Sequence, residues 1–250
     1  MTSLDMSRYR EGKDYSVLAM DFAMGLTIEV PTQRLSRLVP APLNVLEVRP
    51  GIGLINIMVF NIPLGNNILS QECTELILNI HVAPDRRYAP VLPKVAMYTV
   101  RIGASSQEFI DNVFAADRYE ILKAPIKVEI DRDALVLDVR DGAGNPILHL
   151  LPPQGVEPFY APEQFYAQSF TVVDGQVCEA GNWFEFESFY SQKNLASCGE
   201  IFDNPFFDGI DLSGIGPRNY YMQMWSRPGS VGKETHIYLR SLEEVKSLYV

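Results

Sequence analysis

Runs of apolar residues with a period of two, which is typical of β-strands, dominate the hydrophobic pattern of the chain. The pattern predicts a series of strands and one hairpin, over residues 52–60, 72–82, 94–102, 126–153 (a hairpin with the turn DGAGN) and 163–189 (two strands around Asp174-Gly175). Because neighbouring strands are mostly connected as hairpins, the pattern indicates a mainly antiparallel sheet.

Helical periodicity is confined to three shorter segments. It predicts a short helix within residues 30–42, a second over 105–117 and a closing helix over 241–250. In the second, Ser105 and Glu108 have the spacing of a capping box. Strands outnumber helices, so we predict an α+β fold with a mainly antiparallel sheet. The second half of the chain shows too few elements to form a core of its own, which favours one domain over residues 1–250.

Composition and charge narrow the range of partners. The chain is 47% hydrophobic and 21% charged, as in ordinary globular proteins. A net charge of -10 argues against nucleic acid and against anionic membranes, since both require clustered positive charge. The longest apolar run is too short to span a membrane. Three scattered cysteines do not form a disulfide framework, which fits a reducing cytoplasm. We therefore expect a cytoplasmic protein that binds a small molecule.

The segment 72–82 has two contrasting faces. One face is apolar after its first residue and is predicted to lie in the core, whereas the other carries Cys73, Glu75, Ile77, Asn79 and His81. The polar face has two interpretations. It faces solvent, as one side of an antiparallel sheet often does, or it lines a wet cavity inside a barrel.

The preceding strand favours the cavity. Every residue from Leu54 to Phe60 is apolar except Asn56, so this strand is predicted to be buried on both faces. A buried amide is costly unless its hydrogen bonds are made. If the two strands pair, Asn56 and Glu75 face the same pocket.

Several segments taken together resemble the acetoacetate decarboxylase superfamily. They are RLSRLVPAPLNVLEVRPG (residues 34–51), the strand containing CTEL (73–76), and the helix and hairpin that follow. The resemblance covers roughly residues 15–150 and rests on order and spacing more than on strict motifs. It implies a cone-like antiparallel β-barrel with a central cavity and a few flanking helices. It also implies a homo-oligomer.

The resemblance is partial at the positions that carry the family's chemistry. Glu75 falls on the catalytic glutamate of the family's Y-T-E strand, with Cys73 in place of the tyrosine. A second family glutamate falls on Asn56, and the arginine that binds the substrate carboxylate falls near Asp21 or Phe22. Both charges are therefore absent. The family's paired Schiff-base lysines fall near Tyr119, so Tyr119 is a candidate substrate-binding residue.

Lys123 is the remaining candidate for a Schiff-base amine. Acetoacetate decarboxylase itself uses a lysine whose pKa is lowered by burial or by a neighbouring cation. Lys123 lies one or two residues past the expected position and has no lysine neighbour. A one-residue shift turns a strand side chain to the opposite face. We therefore favour an exposed lysine at the mouth of a strand over a catalytic one.

These observations lead to one main functional hypothesis and two alternatives. The main hypothesis is a lyase, dehydratase or cyclase that acts on a β-keto or conjugated carbonyl intermediate of a biosynthetic pathway, with Glu75 as general acid–base group and Asn56, Asn79, His81 and Tyr119 as substrate-binding residues. The alternatives are a β-keto acid decarboxylase that uses Lys123, and a non-catalytic small-molecule-binding barrel. No cofactor is predicted, and the three separated histidines predict no metal site.

Overall fold

The computed structural model of the protein describes residues 10–11, 14–64, 70–83, 95–116, 122–131, 134, 136–151, 161–193, 199–215, 220–226 and 232–241. These residues form thirteen strands: β1 (Tyr15–Met20), β2 (Phe22–Pro31), β3 (Ile52–Ile62), β4 (Cys73–His81), β5 (Val95–Ala104), β6 (Leu122–Asp131), β7 (Val136–Asp141), β8 (Pro146–Leu150), β9 (Ala161–Val173), β10 (Gln176–Lys193), β11 (Gly199–Ile201), β12 (Tyr220–Ser226) and β13 (Gly232–Ser241). The helices are α1 (Thr32–Leu35) and α2 (Gln107–Ala116), with a 3-10 turn at Pro205–Phe207.

The thirteen strands form one mixed sheet. Its main path runs β1-β13-β10-β12-β2-β3-β4-β5-β6-β7-β8-β11, and β9 pairs with both β10 and β5. Within the described strands, the β5–β6 and β5–β9 pairs are parallel and the others are antiparallel. Helix α2 supplies the crossover that the parallel β5–β6 pair requires. The described sheet is thus mainly antiparallel, as the sequence predicts. Its main path has two ends, at β1 and β11, so the expected closed barrel is not confirmed.

The largest hydrophobic core lies on the outer face of β2, β3 and β4. Leu76, Leu78 and Ile80 of β4 are fully buried there, as the alternation along this strand predicts. Strands β6, β7 and β8 lie across this face and contribute Ile126 and Val139, among others, to the same cluster. Two layers of sheet thus enclose an apolar interior, which fixes the direction in which every second residue of β4 points.

The opposite, inner face of β3 and β4 carries a mixture of aromatic and polar side chains. Phe60 of β3 stacks on Phe184 of β10, with 5.9 Å between ring centroids, and Phe165 of β9 contacts Phe184 at 5.0 Å. The register places Phe60 opposite Glu75 and Asn56 opposite Asn79. The residues that alternate with the outer core are therefore brought together on one inner surface.

The start of α2 differs from the expected capping box. Oγ of Ser106 accepts a hydrogen bond from the backbone N–H of Phe109 (3.3 Å), whereas Oγ of Ser105 accepts from the backbone N–H of Thr74 (2.8 Å). Glu108 accepts instead from Ser70. The prediction of Ser105 and Glu108 as a capping pair is wrong, because Thr74 at the start of β4 binds Ser105 and the segment before β4 binds Glu108.

Other local predictions have mixed outcomes. The predicted turn at DGAGN is confirmed: β7 and β8 meet there, and Oδ1 of Asp141 accepts from the backbone N–H of Asn145 (2.9 Å). The segment before the turn forms two paired strands, β6 and β7, where a single hairpin arm was expected. The strand pair β9–β10 turns at Asp174 and Gly175, which both have positive φ. The first helix is shorter than expected, with four residues. The predicted closing helix over 241–250 lies outside the described residues after Ser241. Neither α1 nor α2 has the length and hydropathy needed to cross a lipid bilayer.

Candidate functional site

A cavity opens on the inner face of the sheet. Its empty volume is about 520 Å³, including the space at its open side. It is lined from β1, β3, β4, β5, β9, β10, β13 and α2 by Leu18, Met58, Phe60, Glu75, Ile77, Asn79, Thr99, Ile102, Phe109, Ser169, Asn182, Phe184, Glu234 and His236. Half of these residues are apolar. The polar ones are confined to a few positions on strands that are distant in sequence.

Glu75 contributes a carboxylate to the wall formed by β4. It lies opposite Phe60 on β3 and opposite Ala104 on β5, and only 7% of its surface is exposed. Ile102 and Phe109 line the cavity beside it and belong to a buried apolar cluster. The strand alternation that buries Leu76 on the outer face turns Glu75 inward. A carboxylate held among apolar groups is suited to exchanging a proton with a bound molecule.

Asn79 lies two positions along the same inner face. It pairs in register with Asn56 on β3 and with Thr99 on β5, and it is 1% exposed. Neither its Nδ2 nor its Oδ1 has a hydrogen-bond partner in the described part of the chain. Because buried polar groups are nearly always paired in folded proteins, this amide is a marked exception.

A second polar group comes from β9, β10 and β13. One end of the Asn182 amide lies 2.6 Å from Nδ1 of His236 and 3.2 Å from Oε1 of Glu234, and its other end lies 2.8 Å from Oγ of Ser169. A carboxylate only accepts hydrogen bonds, so the end that faces Glu234 is Nδ2. Nδ2 then donates to Nδ1 of His236 as well, which places the proton of the neutral imidazole on Nε2.

The pKa values of two groups near the cavity are shifted strongly. Burial, together with the negative charge of Glu75, raises the pKa of the Cys73 thiol from 9.0 to about 11. Burial lowers the pKa of the His81 imidazole from 6.5 to about 4. Both groups are therefore neutral near pH 7. The Cys73 thiol is accordingly a poor nucleophile, and His81 carries no positive charge into this part of the protein.

The cavity is acidic in the part that the structure describes. Its ionisable lining residues there are Glu75, Glu234 and His236, and neither lysine nor arginine is among them. No group of three or more histidine, cysteine, aspartate or glutamate side chains within the described residues is arranged to hold a metal ion. The arrangement offers proton donors and acceptors for a bound molecule, without a described cation for a carboxylate.

The structure brings some of the sequence-predicted site residues together. Glu75 and Asn79 line the cavity. Asn56 and His81 share the inner face of β3 and β4 but are not among the lining residues; Nδ2 of Asn56 donates to Oγ1 of Thr27 (2.7 Å) and its Oδ1 has no described partner. Asn56 lies directly opposite Asn79 on this face, and its role as a substrate-binding residue stays a prediction.

The two candidates in the segment after α2, Tyr119 and Lys123, are described only in part. The backbone of Lys123 lies in β6 and pairs in register with Ile102 of β5, which lines the cavity. Its side chain and all of Tyr119 lie outside what the structure describes. Lys127, in the middle of β6, is exposed.

Sequence reasoning missed the group from β10 and β13. Residues 233–238 alternate as KETHIY, so that Glu234 and His236 share one face of a strand. This is the same signal that drew attention to Glu75, Asn79 and His81 on β4. The resemblance to a known family ended near residue 153, and without it the alternation did not identify an inner face.

Comparison with known proteins supports the fold. No family model matches the sequence, and no curated protein matches it. The enduracididine biosynthesis enzyme MppR, solved with the condensation product of pyruvate and imidazole 4-carboxaldehyde, is similar with a TM-score of 0.57 and 8% identity over 93% of this chain and 90% of that one. An acetoacetate decarboxylase is similar with a TM-score of 0.52 and 12% identity over 96% and 94%.

A third similar structure, the acetoacetate decarboxylase from Legionella pneumophila, has a TM-score of 0.55 and 10% identity over 96% of this chain and 97% of that one. All three likenesses extend over nearly the full length of both chains, including the region after residue 153 where the sequence resemblance ended. With sequence identities of 8%, 12% and 10%, these similarities establish the fold alone. The chain has the fold of the acetoacetate decarboxylase-like superfamily.

Proposed function

We propose that this protein is an enzyme that transfers a proton at a carbon next to the carbonyl group of a small molecule, with Glu75 as the general acid–base group. Reactions of this kind include eliminations of water and ring closures, which are the lyase, dehydratase and cyclase chemistries expected from the sequence. The observation that carries the proposal is the position of Glu75, a buried carboxylate in the wall of a partly apolar cavity.

The surroundings of Glu75 favour proton transfer over other uses of a carboxylate. Apolar residues such as Ile102 and Phe109 line the same cavity as the carboxylate, so a ligand there would meet Glu75 in partly apolar surroundings. A positioned acid or base typically accelerates a reaction by about 10²–10⁴-fold. The loss of its carboxylate should therefore be visible in kinetics even when the substrate binds normally.

The group on β13 supplies a second site of proton exchange in the same cavity. The Asn182 amide orients the imidazole of His236 through Nδ1, which leaves the proton of the neutral ring on Nε2. An elimination needs a base at one carbon and an acid at the leaving hydroxyl. We assign the base to Glu75 and the acid to His236, because they line the same cavity from two different strands, β4 and β13. Enzymes that separate acid and base roles commonly place them in different surroundings.

Decarboxylation of a β-keto acid through Lys123 is the second candidate. It is favoured by the backbone pairing of Lys123 with Ile102, which puts this position next to the cavity lining. It is disfavoured by the two carboxylates, Glu75 and Glu234, since they repel a keto-acid anion and no described arginine or lysine offsets them. Only the first candidate uses the groups that are described in the cavity.

A solvent-exchange assay tests the proposal without knowledge of the natural substrate. The protein is incubated in D₂O with small ketones such as 2-butanone and acetoacetamide. NMR follows the loss of the signal of the protons on the carbon next to the carbonyl group. We expect exchange above the buffer rate with the wild type and with Glu129→Gln, an exposed control on β6, and a loss of about 10²-fold or more with Glu75→Gln. Equal exchange by wild type and Glu75→Gln would contradict the proposal, as would the absence of exchange with every ketone.

A further inference from the structure

The Asn79 side chain is an unpaired amide at the cavity wall. It is 1% exposed, it lines the cavity, and neither its donor nor its acceptor is matched by the described residues. Oδ1 of Asn56, directly opposite on β3, is a second buried acceptor without a described partner. A buried polar group left unmatched destabilises the folded protein. A ligand in the cavity that pairs with the Asn79 amide removes that cost at Asn79.

The chemistry of the Asn79 amide defines what pairs with it. Nδ2 donates and Oδ1 accepts, so a full match needs an acceptor and a donor side by side on the ligand. A carboxamide or lactam has this arrangement, with C=O for Nδ2 and N–H for Oδ1. An ester or a ketone offers only the acceptor. A carboxylate also offers only acceptors, and it brings a negative charge.

The charges of the cavity separate these ligands further. Glu75 lies four residues before Asn79 on the same face of β4, and Glu234 lines the same cavity. Two carboxylates in a poorly solvated space disfavour a third. No lysine or arginine is present among the described lining residues to compensate. An uncharged ligand avoids this repulsion, and an amide in addition fulfils both hydrogen bonds.

We infer that the substrate is an uncharged carbonyl compound with a carboxamide or lactam group, and that Asn79 binds this group. The inference rests on the proposed function for the assignment of the cavity as the substrate site. It goes further by excluding free β-keto acids as the preferred substrate class and by giving Asn79 the role of a specificity residue.

Three compounds of similar size test the inference: acetoacetamide, methyl acetoacetate and acetoacetate. Their dissociation constants are measured at neutral pH by NMR titration. For the wild type we expect acetoacetamide to bind at least about 10-fold more tightly than methyl acetoacetate, and acetoacetate to bind most weakly. In Asn79→Leu the preference for amide over ester should disappear, so that the two dissociation constants differ by a factor of about 1. In Asn44→Leu, an exposed asparagine outside the cavity, it should persist. Asn79→Val, with a smaller apolar residue suited to a strand, repeats the test if Asn79→Leu does not fold.

The inference is overturned if wild-type protein binds the ester as tightly as the amide, if acetoacetate binds most tightly, or if the amide preference survives replacement of Asn79. Because binding is measured without turnover, the result is independent of the exchange assay. Amide binding that depends on Asn79, without exchange, upholds the inference and rejects the proposed function. Exchange that depends on Glu75, without an amide preference, does the reverse.

Discussion

Nδ1 of His236 on β13 lies 2.6 Å from the side-chain amide of Asn182 on β10, although the two residues are 54 positions apart. The same amide contacts Glu234 at 3.2 Å and Ser169 at 2.8 Å. One asparagine thus joins an imidazole, a carboxylate and a hydroxyl in the cavity wall. It sets which ring nitrogen of His236 carries the proton.

Replacement of Asn182 by leucine is expected to destabilise the protein. Asn182→Leu removes the N–H that His236 and Glu234 accept and the oxygen that Ser169 donates to. Losing one side of a buried network costs about 1–3 kcal/mol in the free energy of unfolding. Urea denaturation followed by circular dichroism measures the change. The exposed control Asn44→Leu should stay within about 0.5 kcal/mol of wild type, and an equally small effect of Asn182→Leu would show that the network is not formed.

Asn79→Leu is expected to have the opposite sign, although the residue is as buried as Asn182. Its amide has no described partner, so leucine removes an unmatched polar group and breaks no hydrogen bond. We expect the free energy of unfolding to rise by about 0.5–1.5 kcal/mol. The same urea titration compares the two variants. A loss of stability in Asn79→Leu would mean that the amide has a structural role.

Stability should decrease on acidification because of His81. Burial lowers its pKa to about 4 in the folded protein, whereas the unfolded chain has the usual value of 6.5. Between these values the unfolded state binds a proton that the folded state does not, so stability is lost as the pH falls through this window. The shift corresponds to at most about 3 kcal/mol.

Urea titrations at several pH values from 7 to 4 compare the wild type with His81→Phe. The variant should lose less stability over this range, because it has no imidazole to protonate. Identical pH profiles for the two proteins would show that His81 titrates normally in the folded state.

Cys73 reports on the charge of Glu75. The Cys73 thiol has its pKa raised to about 11, first by burial and then by the negative charge of Glu75. In Glu75→Gln the second contribution disappears, so the pH midpoint of Cys73 labelling by iodoacetamide should move down. Mass spectrometry of the Cys73 peptide gives this midpoint, with Glu129→Gln as the control for an exposed glutamate. An unchanged midpoint in Glu75→Gln would mean that the two side chains are not electrostatically coupled.

Much of the fold could be predicted because it depends on local alternation. The two faces of β4 follow from the sequence alone, and the outer one is core because Leu76, Leu78 and Ile80 are apolar. The hairpin of β7 and β8 could be predicted because its turn residues have specific backbone preferences. The short α1 and the cap of α2 could not, since long-range contacts such as that of Ser105 with Thr74 override local signals.

Only the part of the site that lies on β4 could be predicted, because the rest depends on long-range strand pairing. Alternation shows that Glu75 and Asn79 share a face, but the partner strands of that face are chosen by pairing over long distances. β13 joins β10 and β1, so Glu234 lies opposite Phe184 and Leu18. Neither spacing nor composition specifies these pairings. The polar residues of β13 therefore remained unassigned until the sheet order was known.

The central claim, that Glu75 carries the proton transfer, is tested most directly by a comparison of Glu75→Gln with Lys123→Ala in the solvent-exchange assay. Both variants are measured with the ketone that the wild type exchanges fastest, at saturating concentration and neutral pH. The proposal predicts a loss of about 10²-fold or more in Glu75→Gln, and a rate within about threefold of wild type in Lys123→Ala. The reverse result, an inactive Lys123→Ala and an active Glu75→Gln, would contradict the proposal and assign the chemistry to the lysine.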